Sequence, residues 1–118
     1  MSDEKKRIFQ KRMTALHEKY CKQLPEKYHE IERSWKEYQT DFNNTDFFDA
    51  FYRYIHTLKG TAATFGFNTQ ADICFEVQQV LTQIKDQQAS PDESVDIINQ
   101  HLAKLKAYIN TPADDIEE

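Results

Sequence analysis

The chain has 118 residues, enough for one domain with a modest hydrophobic core. Its net charge of −5 argues against general nucleic-acid binding, because phosphate contacts need clustered Lys and Arg. No apolar run approaches the roughly 18 residues of a membrane span, and no signal-like segment follows Met1. We therefore expect a cytoplasmic protein without membrane insertion. Cys21 and Cys74 show no metal-type spacing, and although a disulfide between them is compatible with the sequence, we expect both to be reduced.

The N-terminal third predicts two helices with a break at Leu24-Pro25. Ser2 is placed to cap the first helix. Its apolar face recurs at helical spacing through Phe9, Met13, Leu16 and Tyr20. Proline suits the first turn of a new helix and disrupts the interior of a continuing one, so the break is placed before Pro25. The second helix then carries an aromatic-rich stripe of Tyr28, Ile31, Trp35, Tyr38 and Phe42.

A third helix is predicted from about Asp46 to Phe65. The polar run Asn43-Asn44-Thr45 indicates a turn and an N-cap before it. Gly66 is placed to end the helix in the left-handed conformation. The apolar stripe consists of Phe48, Phe51, Ile55, Leu58, Ala62 and Phe65.

Two more helices complete the chain. Asn68-Thr69 is the predicted cap of the fourth, and Ser90-Pro91 followed by Glu93 is a start signal for the fifth. The fourth helix has an apolar stripe of Ala71, Cys74, Val77, Leu81 and Ile84, widened by Ile73 and Val80. The fifth has a stripe of Val95, Ile98, Leu102, Leu105 and Ile109.

These elements predict an all-α protein. Short connections make neighbouring helices antiparallel, so helices two to five should form an up-down-up-down four-helix bundle, with the first helix packed across one end. We expect one domain over residues 1–118, folded over about 1–110, with an acidic tail at 111–118. That tail is also compatible with a linker, in which case the chain is one module of a longer protein.

One segment of the third helix differs from an ordinary core helix. His56 lies beside the apolar stripe, and Tyr52, Lys59, Gly60 and Ala63 share its face at helical spacing. Between residues 50 and 71 there is no Asp or Glu, although the chain contains 20 acidic residues. An acidic protein therefore keeps a neutral-to-positive patch around one histidine.

This patch suits phosphoryl transfer. A neutral imidazole is a nucleophile near pH 7, and a nearby lysine can neutralise an incoming anion. Phosphoryl transfer needs mostly positioning and charge stabilisation. No second catalytic group accompanies His56 in the sequence, so we interpret the patch as half of an active site that a partner completes.

The run from His56 to Gly66, His-Thr-Leu-Lys-Gly-Thr-Ala-Ala-Thr-Phe-Gly, resembles the signature of histidine-containing phosphotransfer (HPt) domains. That family also has the bundle architecture predicted above. The resemblance implies that His56 accepts a phosphoryl group on Nε2, that Lys59 steadies the phosphoryl oxygens, and that Gly60 permits close approach. Gln78 matches a family glutamine that hydrogen-bonds near the phosphorylated ring.

The resemblance also implies the partners and the chemistry. The phosphoryl group would pass between aspartates of response-regulator receiver domains, and a hybrid sensor histidine kinase is a further candidate partner. The receiver would supply Mg²⁺, so no metal or other cofactor is expected on this chain. The protein would be a phosphocarrier without catalytic activity of its own, and we expect a monomer.

Several alternatives remain open at this stage. The chain could be a docking module that binds a receiver or kinase without being phosphorylated. Gly60 could serve tight packing inside the bundle, Arg53 could be a plain surface charge or a partner contact, and Gln78 could be an ordinary surface residue. Phe47 and Tyr52 lie off the main apolar stripe and could form an apolar contact surface for a partner helix beside His56. A metal protein is disfavoured, because His17, His29 and His101 fall on three predicted helices without helical pairing.

Overall fold

The computed structural model describes residues 2–110, and the tail predicted for residues 111–118 lies outside the described residues. The described part is all-helical, as predicted, and consists of four α-helices. They are α1 (Asp3–Thr40), α2 (Thr45–Thr64), α3 (Asn68–Lys85) and α4 (Pro91–Asn110). No helix of this part is both long enough and apolar enough to span a bilayer.

The predicted break at Leu24-Pro25 is wrong, because α1 runs without interruption through Pro25. Proline removes one backbone hydrogen bond from a helix interior and costs roughly 3 kcal/mol. Packing on both sides offsets that cost. Tyr20, Leu24 and Tyr28 recur every four residues across the proline and are all buried, while Pro25 itself faces solvent. The tertiary contacts of one face therefore override the local preference of one residue.

The first predicted helix is consequently the N-terminal part of α1 and does not pack across the end of the bundle. Its stripe also differs from the prediction of a core face. Tyr20 is buried, Met13 is half-buried, and Phe9 and Leu16 are exposed. Because α1 is 38 residues long and α2 only 20, α1 extends past the bundle, and the molecule measures 55 × 24 × 22 Å.

The other helix boundaries follow local signals in the sequence. The side-chain oxygen of Ser2 accepts from the amide of Lys5, and that of Asn44 accepts from the amide of Phe47, so both predicted caps are confirmed. The helix α4 begins at Pro91 as predicted. The predicted cap at Asn68-Thr69 is wrong, since α3 already includes both residues and its N-cap is Phe67, without a side-chain capping bond.

Gly66 ends α2 as predicted, with φ of +82°. Its amide donates to the carbonyl of Ala63 at 3.2 Å, and the amide of Phe67 donates to that of Ala62 at 2.9 Å. This pair of bonds is the Schellman arrangement, which requires a left-handed residue at this position. The turn directs the chain back along the bundle and buries Phe67 completely.

Contacts between helices show that neighbours run antiparallel. Trp35 of α1 stacks on Phe51 near the start of α2, whereas Tyr20 stacks on Phe65 just past its end. Similarly, Trp35 hydrogen-bonds Asn99 of α4, while Tyr28, earlier in α1, reaches the carbonyl of Leu102. Each helix packs on the next, and α1 also packs on α4. The four helices thus enclose one core.

Most aromatic side chains of the core come from α1, and most core side chains of the other helices are aliphatic. The predicted stripes of α2 to α4 supply it with Phe51, Ile55, Leu58, Ala62, Cys74, Val77, Leu81, Ile98, Leu102, Leu105 and Ile109. Cys21 and Cys74 are both free thiols, half-buried and buried respectively. A close-packed core of this kind holds the outer faces of α2 and α3 at a fixed distance from each other.

Candidate functional site

His56 stands on the outer surface of α2 because the buried stripe of that helix fixes its orientation. Ile55 is fully buried and faces the core, and His56 is one position, about 100°, further round the helix. The imidazole is therefore solvent-exposed while its backbone belongs to a rigid, packed helix. Another macromolecule can reach this ring without any opening of the bundle.

Gln78 of α3 binds the histidine ring from the neighbouring helix. Its side-chain oxygen Oε1 lies 3.0 Å from Nδ1 of His56. Because an amide oxygen only accepts hydrogen bonds, this contact is a hydrogen bond in the tautomer that carries its proton on Nδ1. The neutral imidazole then has its lone pair on Nε2, the nitrogen directed away from Gln78. One hydrogen bond between two helices thus selects the tautomer whose outer nitrogen is nucleophilic.

Aromatic stacking holds the other side of the ring. Tyr52, one turn earlier in α2, stacks on His56 with ring centroids 6.1 Å apart and planes 10° apart. Phe48 stacks on Tyr52 in the same way, at 6.2 Å and 20°. The three rings form a ladder along one face of α2, so His56 is restrained both by a hydrogen bond and by a stack.

Lys59 lies one turn after His56, on the side of α2 that faces α3. Its Nζ is 5.6 Å from the ring centroid of Phe75, within the range of a cation–π contact. Burial raises the pKa of the nearby Cys74 thiol to about 12, and the positive charge of Lys59 partly opposes that increase. The ammonium group is therefore held at the α2–α3 edge, beside the histidine.

Phe75 lies beside Lys59 at this site, and the sequence pattern did not predict it there. It is 46% exposed, an unusual position for a large apolar side chain, and it lies one turn before Gln78 on α3. The available signal was its position: an aromatic residue off the buried stripe of α3, at helical spacing from Gln78. Exposed aromatic groups next to a reactive residue are typical of contact surfaces.

Gly60 faces open space. A Cβ atom built at this position has no neighbour within 4 Å, so the glycine does not serve packing inside the bundle. The alternative of tight helix–helix packing is therefore wrong. Gly60 and Ala63 are both exposed on the face of His56, and they leave the surface next to the ring low and unobstructed.

The structure does not place Arg53 with the other residues. Arg53 is exposed on the opposite flank of His56, where it lines a depression between α1 and α2 together with Lys27, Glu30 and Thr57. Lys59 and Gln78 lie on the α3 side of the ring, Tyr52 stacks on it, and Gly60 lies one turn further along α2. Arg53 lies outside this group.

The surroundings of His56 favour a large partner over a small molecule. A groove of about 750 Å³ lies at the end of the bundle formed by the α1–α2 and α3–α4 connections, where Phe48, Asn44 and Gln88 line it. His56 stands on the open surface of α2 outside that groove. In residues 2–110 no group of three or more His, Cys, Asp or Glu side chains is arranged to hold a metal ion.

Comparison with known proteins gives one match. The family model described as the Hpt domain matches residues 15–108, which is most of the chain. Neither the curated proteins nor the solved structures include a match.

Proposed function

Because the chain belongs to the Hpt domain family of histidine phosphotransfer modules in two-component systems, we propose that it relays a phosphoryl group between aspartates of receiver domains. His56 is the phosphoacceptor in this proposal. The observation that supports it is the hydrogen bond between Nδ1 of His56 and Oε1 of Gln78 on an exposed surface. A docking module that is never phosphorylated has no need of an exposed, tautomer-selected imidazole.

The proposed transfer step uses that geometry. The Nε2 lone pair of His56 attacks the phosphorus of an aspartyl phosphate on the donor receiver. The N–P bond forms as the bond between phosphorus and the aspartate oxygen breaks, and the aspartate leaves as a carboxylate. Nδ1 keeps its proton, and Oε1 of Gln78 stabilises the positive charge that develops on the ring. The reverse reaction delivers the group to an acceptor receiver.

The neighbouring residues assist by charge and by shape. Lys59 is within reach of the phosphoryl oxygens at the α2–α3 edge and offsets their negative charge. Gly60 and Ala63 let the receiver surface approach, and the ring of Tyr52 holds the imidazole in place. Mg²⁺ is expected on the receiver, so we assign no metal to this chain. The carrier thus supplies a positioned nucleophile, and the receiver supplies the rest of the site.

The test is phosphotransfer from a receiver domain phosphorylated with a labelled phosphoryl group. The parent protein should acquire an acid-labile label, and His56→Gln should acquire none. His29→Gln is the matched control, because His29 is an exposed histidine of α1 outside the site. Label on His56→Gln equal to that on the parent would contradict the proposal. Unchanged receiver binding by both proteins, with no label on either, would support the docking-module alternative.

A further inference from the structure

The first part of α1 is a second surface that the phosphotransfer site does not use. We call residues 3–16 the arm, since they precede His17, the first residue of α1 with a ring contact to the bundle. At 1.5 Å per residue the arm is about 21 Å long. Its large apolar side chains are exposed: Ile8 by 46%, Phe9 by 57% and Leu16 by 49%.

The apolar stripe of the arm faces a corner of the molecule. Phe9, Met13 and Leu16 share one helical row with Tyr20, which packs on Phe65 and Phe67 at 5.2 and 5.3 Å between ring centroids. Phe65 and Phe67 belong to the α2–α3 connection at the end of the bundle. The stripe therefore faces the space just beyond that end of the bundle. The arm bounds this space on one side, and the end of the bundle bounds it on another.

The shape of this corner selects among possible occupants. A flat lipid surface laid on Phe9 and Leu16 would meet the bundle end, which is more than 20 Å across. A single helix, about 10 Å in diameter, fits along the arm within the corner. The geometry thus favours a helical segment over a membrane.

The charges of the arm favour one kind of helical partner over others. The arm carries five basic residues against two acidic ones, in a chain whose net charge is −5. Lys5, Arg12 and, just beyond the arm, Lys19 recur every seven residues along one side of the stripe. That is the spacing at which helices in a coiled coil choose partners by flanking charge.

A second copy of this chain fits these charges poorly. The bundle occupies the same side as the stripe, so two arms would have to pair antiparallel to avoid a collision of the bundles. Antiparallel pairing places the row of Lys5, Arg12 and Lys19 against the same row of the other copy. Like charges in these positions repel and disfavour the pair.

We propose that the arm is a docking site for a helix of another protein that has an apolar stripe flanked by acidic side chains. This partner is bound independently of phosphotransfer. The ring contacts place Phe51 level with Trp35 and Phe65 level with Tyr20 along the bundle axis. His56 lies between Phe51 and Phe65, so it is about 20 Å along that axis from Leu16. A helix held on the arm leaves His56 accessible, so the arm can keep a signalling partner attached while a receiver docks.

The test uses the full chain and two synthetic helical peptides, followed by fluorescence anisotropy. Both peptides carry leucines on one face, flanked in one by glutamates and in the other by lysines. The glutamate peptide should bind at least about tenfold more tightly, and added salt should weaken it. Phe9→Ala/Leu16→Ala should reduce its affinity at least about tenfold, as should Arg12→Glu. Phosphotransfer at His56 should be unchanged in both variants.

Matched controls change equivalent side chains elsewhere. Ile97→Ala removes an exposed apolar side chain of α4, and Lys104→Glu reverses an exposed charge there. Neither should alter the affinity for the glutamate peptide. Circular dichroism should show all variants equally helical, because Phe9, Arg12 and Leu16 are exposed.

Other outcomes would overturn the proposal. Equal binding of both peptides, or binding of neither, would show that the arm does not select an acidic helix. A dimer in analytical ultracentrifugation that Phe9→Ala/Leu16→Ala abolishes would make a second copy the occupant. Binding to phosphatidylglycerol vesicles that the same variant abolishes would make it a lipid surface. Tighter peptide binding by a chain that ends at residue 110 would identify the acidic tail as the occupant of the arm.

Discussion

Oε1 of Gln78 on α3 lies 3.0 Å from Nδ1 of His56 on α2, and this contact determines which nitrogen of the ring is free. The site therefore combines side chains from two helices that are adjacent in the bundle. The relationship depends on the register between α2 and α3, which the Schellman turn at Gly66 and the buried Phe67 fix. The chemistry at the surface thus rests on packing below it.

Replacing Gln78 should slow phosphotransfer without unfolding the protein. In Gln78→Ala the imidazole loses the acceptor at Nδ1, so both tautomers become populated and the ring loses one restraint. We expect the transfer rate to fall by about tenfold, comparable to the loss of one hydrogen bond to a charged group. Rapid-quench transfer from a phosphorylated receiver measures the rate, and nitrogen chemical shifts of His56 measure the tautomer.

Gln79→Ala is the control for this variant, because Gln79 is the exposed neighbour of Gln78 on the same helix. Its transfer rate and the tautomer of His56 should match those of the parent. If Gln78→Ala kept a single Nδ1–H tautomer and the full rate, the hydrogen bond would have no role in the reaction.

Gly60 should tolerate alanine and not glutamate. In Gly60→Ala the added Cβ meets no atom within 4 Å, and alanine is the better helix former, so the free energy of unfolding should rise by up to about 1 kcal/mol. In Gly60→Glu a charged side chain occupies the approach path beside His56, and transfer should fall by at least about tenfold. Urea unfolding and the phosphotransfer assay measure the two effects.

Ala103→Glu controls for the added carboxylate, because it places the same group on an exposed position of α4. It should transfer at the parental rate. Full transfer by Gly60→Glu, with the helix content unchanged, would mean that the receiver approaches His56 from another side.

The sequence predicts the buried faces better than it predicts the relations between helices. The spacing of Phe51, Ile55 and Leu58 predicted the core face of α2. The residues that share the face of His56 predicted the patch around it. Phe75 was not identified, since its contact with Lys59 depends on how α2 and α3 are aligned. Periodicity within one helix holds no information about that alignment.

The length of α1 shows a different limit. The predicted break rested on the strong local preference of proline and neglected the row of Tyr20, Leu24 and Tyr28 that continues across it. That row was visible in the sequence as spacings of four residues on both sides of Pro25. Burial of these side chains offsets the lost hydrogen bond, and such compensation depends on the partners that the other helices provide.

Replacing this proline should therefore stabilise the protein. Pro25→Ala restores the amide that can donate to the carbonyl of Cys21 and removes the ring from an uninterrupted helix. We expect the free energy of unfolding to rise by about 1–3 kcal/mol. Urea unfolding followed by circular dichroism gives this value, with Glu26→Ala, at an exposed neighbouring position, as the control expected to show little change. A Pro25→Ala variant no more stable than the parent would indicate that α1 is broken at this residue.

Two buried acidic groups predict a loss of stability at alkaline pH. Burial raises the pKa of the Cys74 thiol from 9.0 to about 12, and burial is also the largest cause of the raised pKa of Tyr20. Between pH 9 and about pH 12 the unfolded chain releases the Cys74 proton that the folded protein retains. The unfolded state therefore binds fewer protons, and the free energy of unfolding falls with rising pH. The fall should begin near pH 9 and continue to about pH 12.

Cys74→Val separates the contribution of the thiol, because valine has a similar volume and does not ionise. The decrease in the free energy of unfolding between pH 8 and 11, measured by urea unfolding, should be smaller in this variant than in the parent. Cys21→Val is the control, since Cys21 is only half-buried and a smaller effect is expected. Identical pH profiles for Cys74→Val and the parent would show that the thiol of Cys74 ionises in the folded protein as readily as in the unfolded chain.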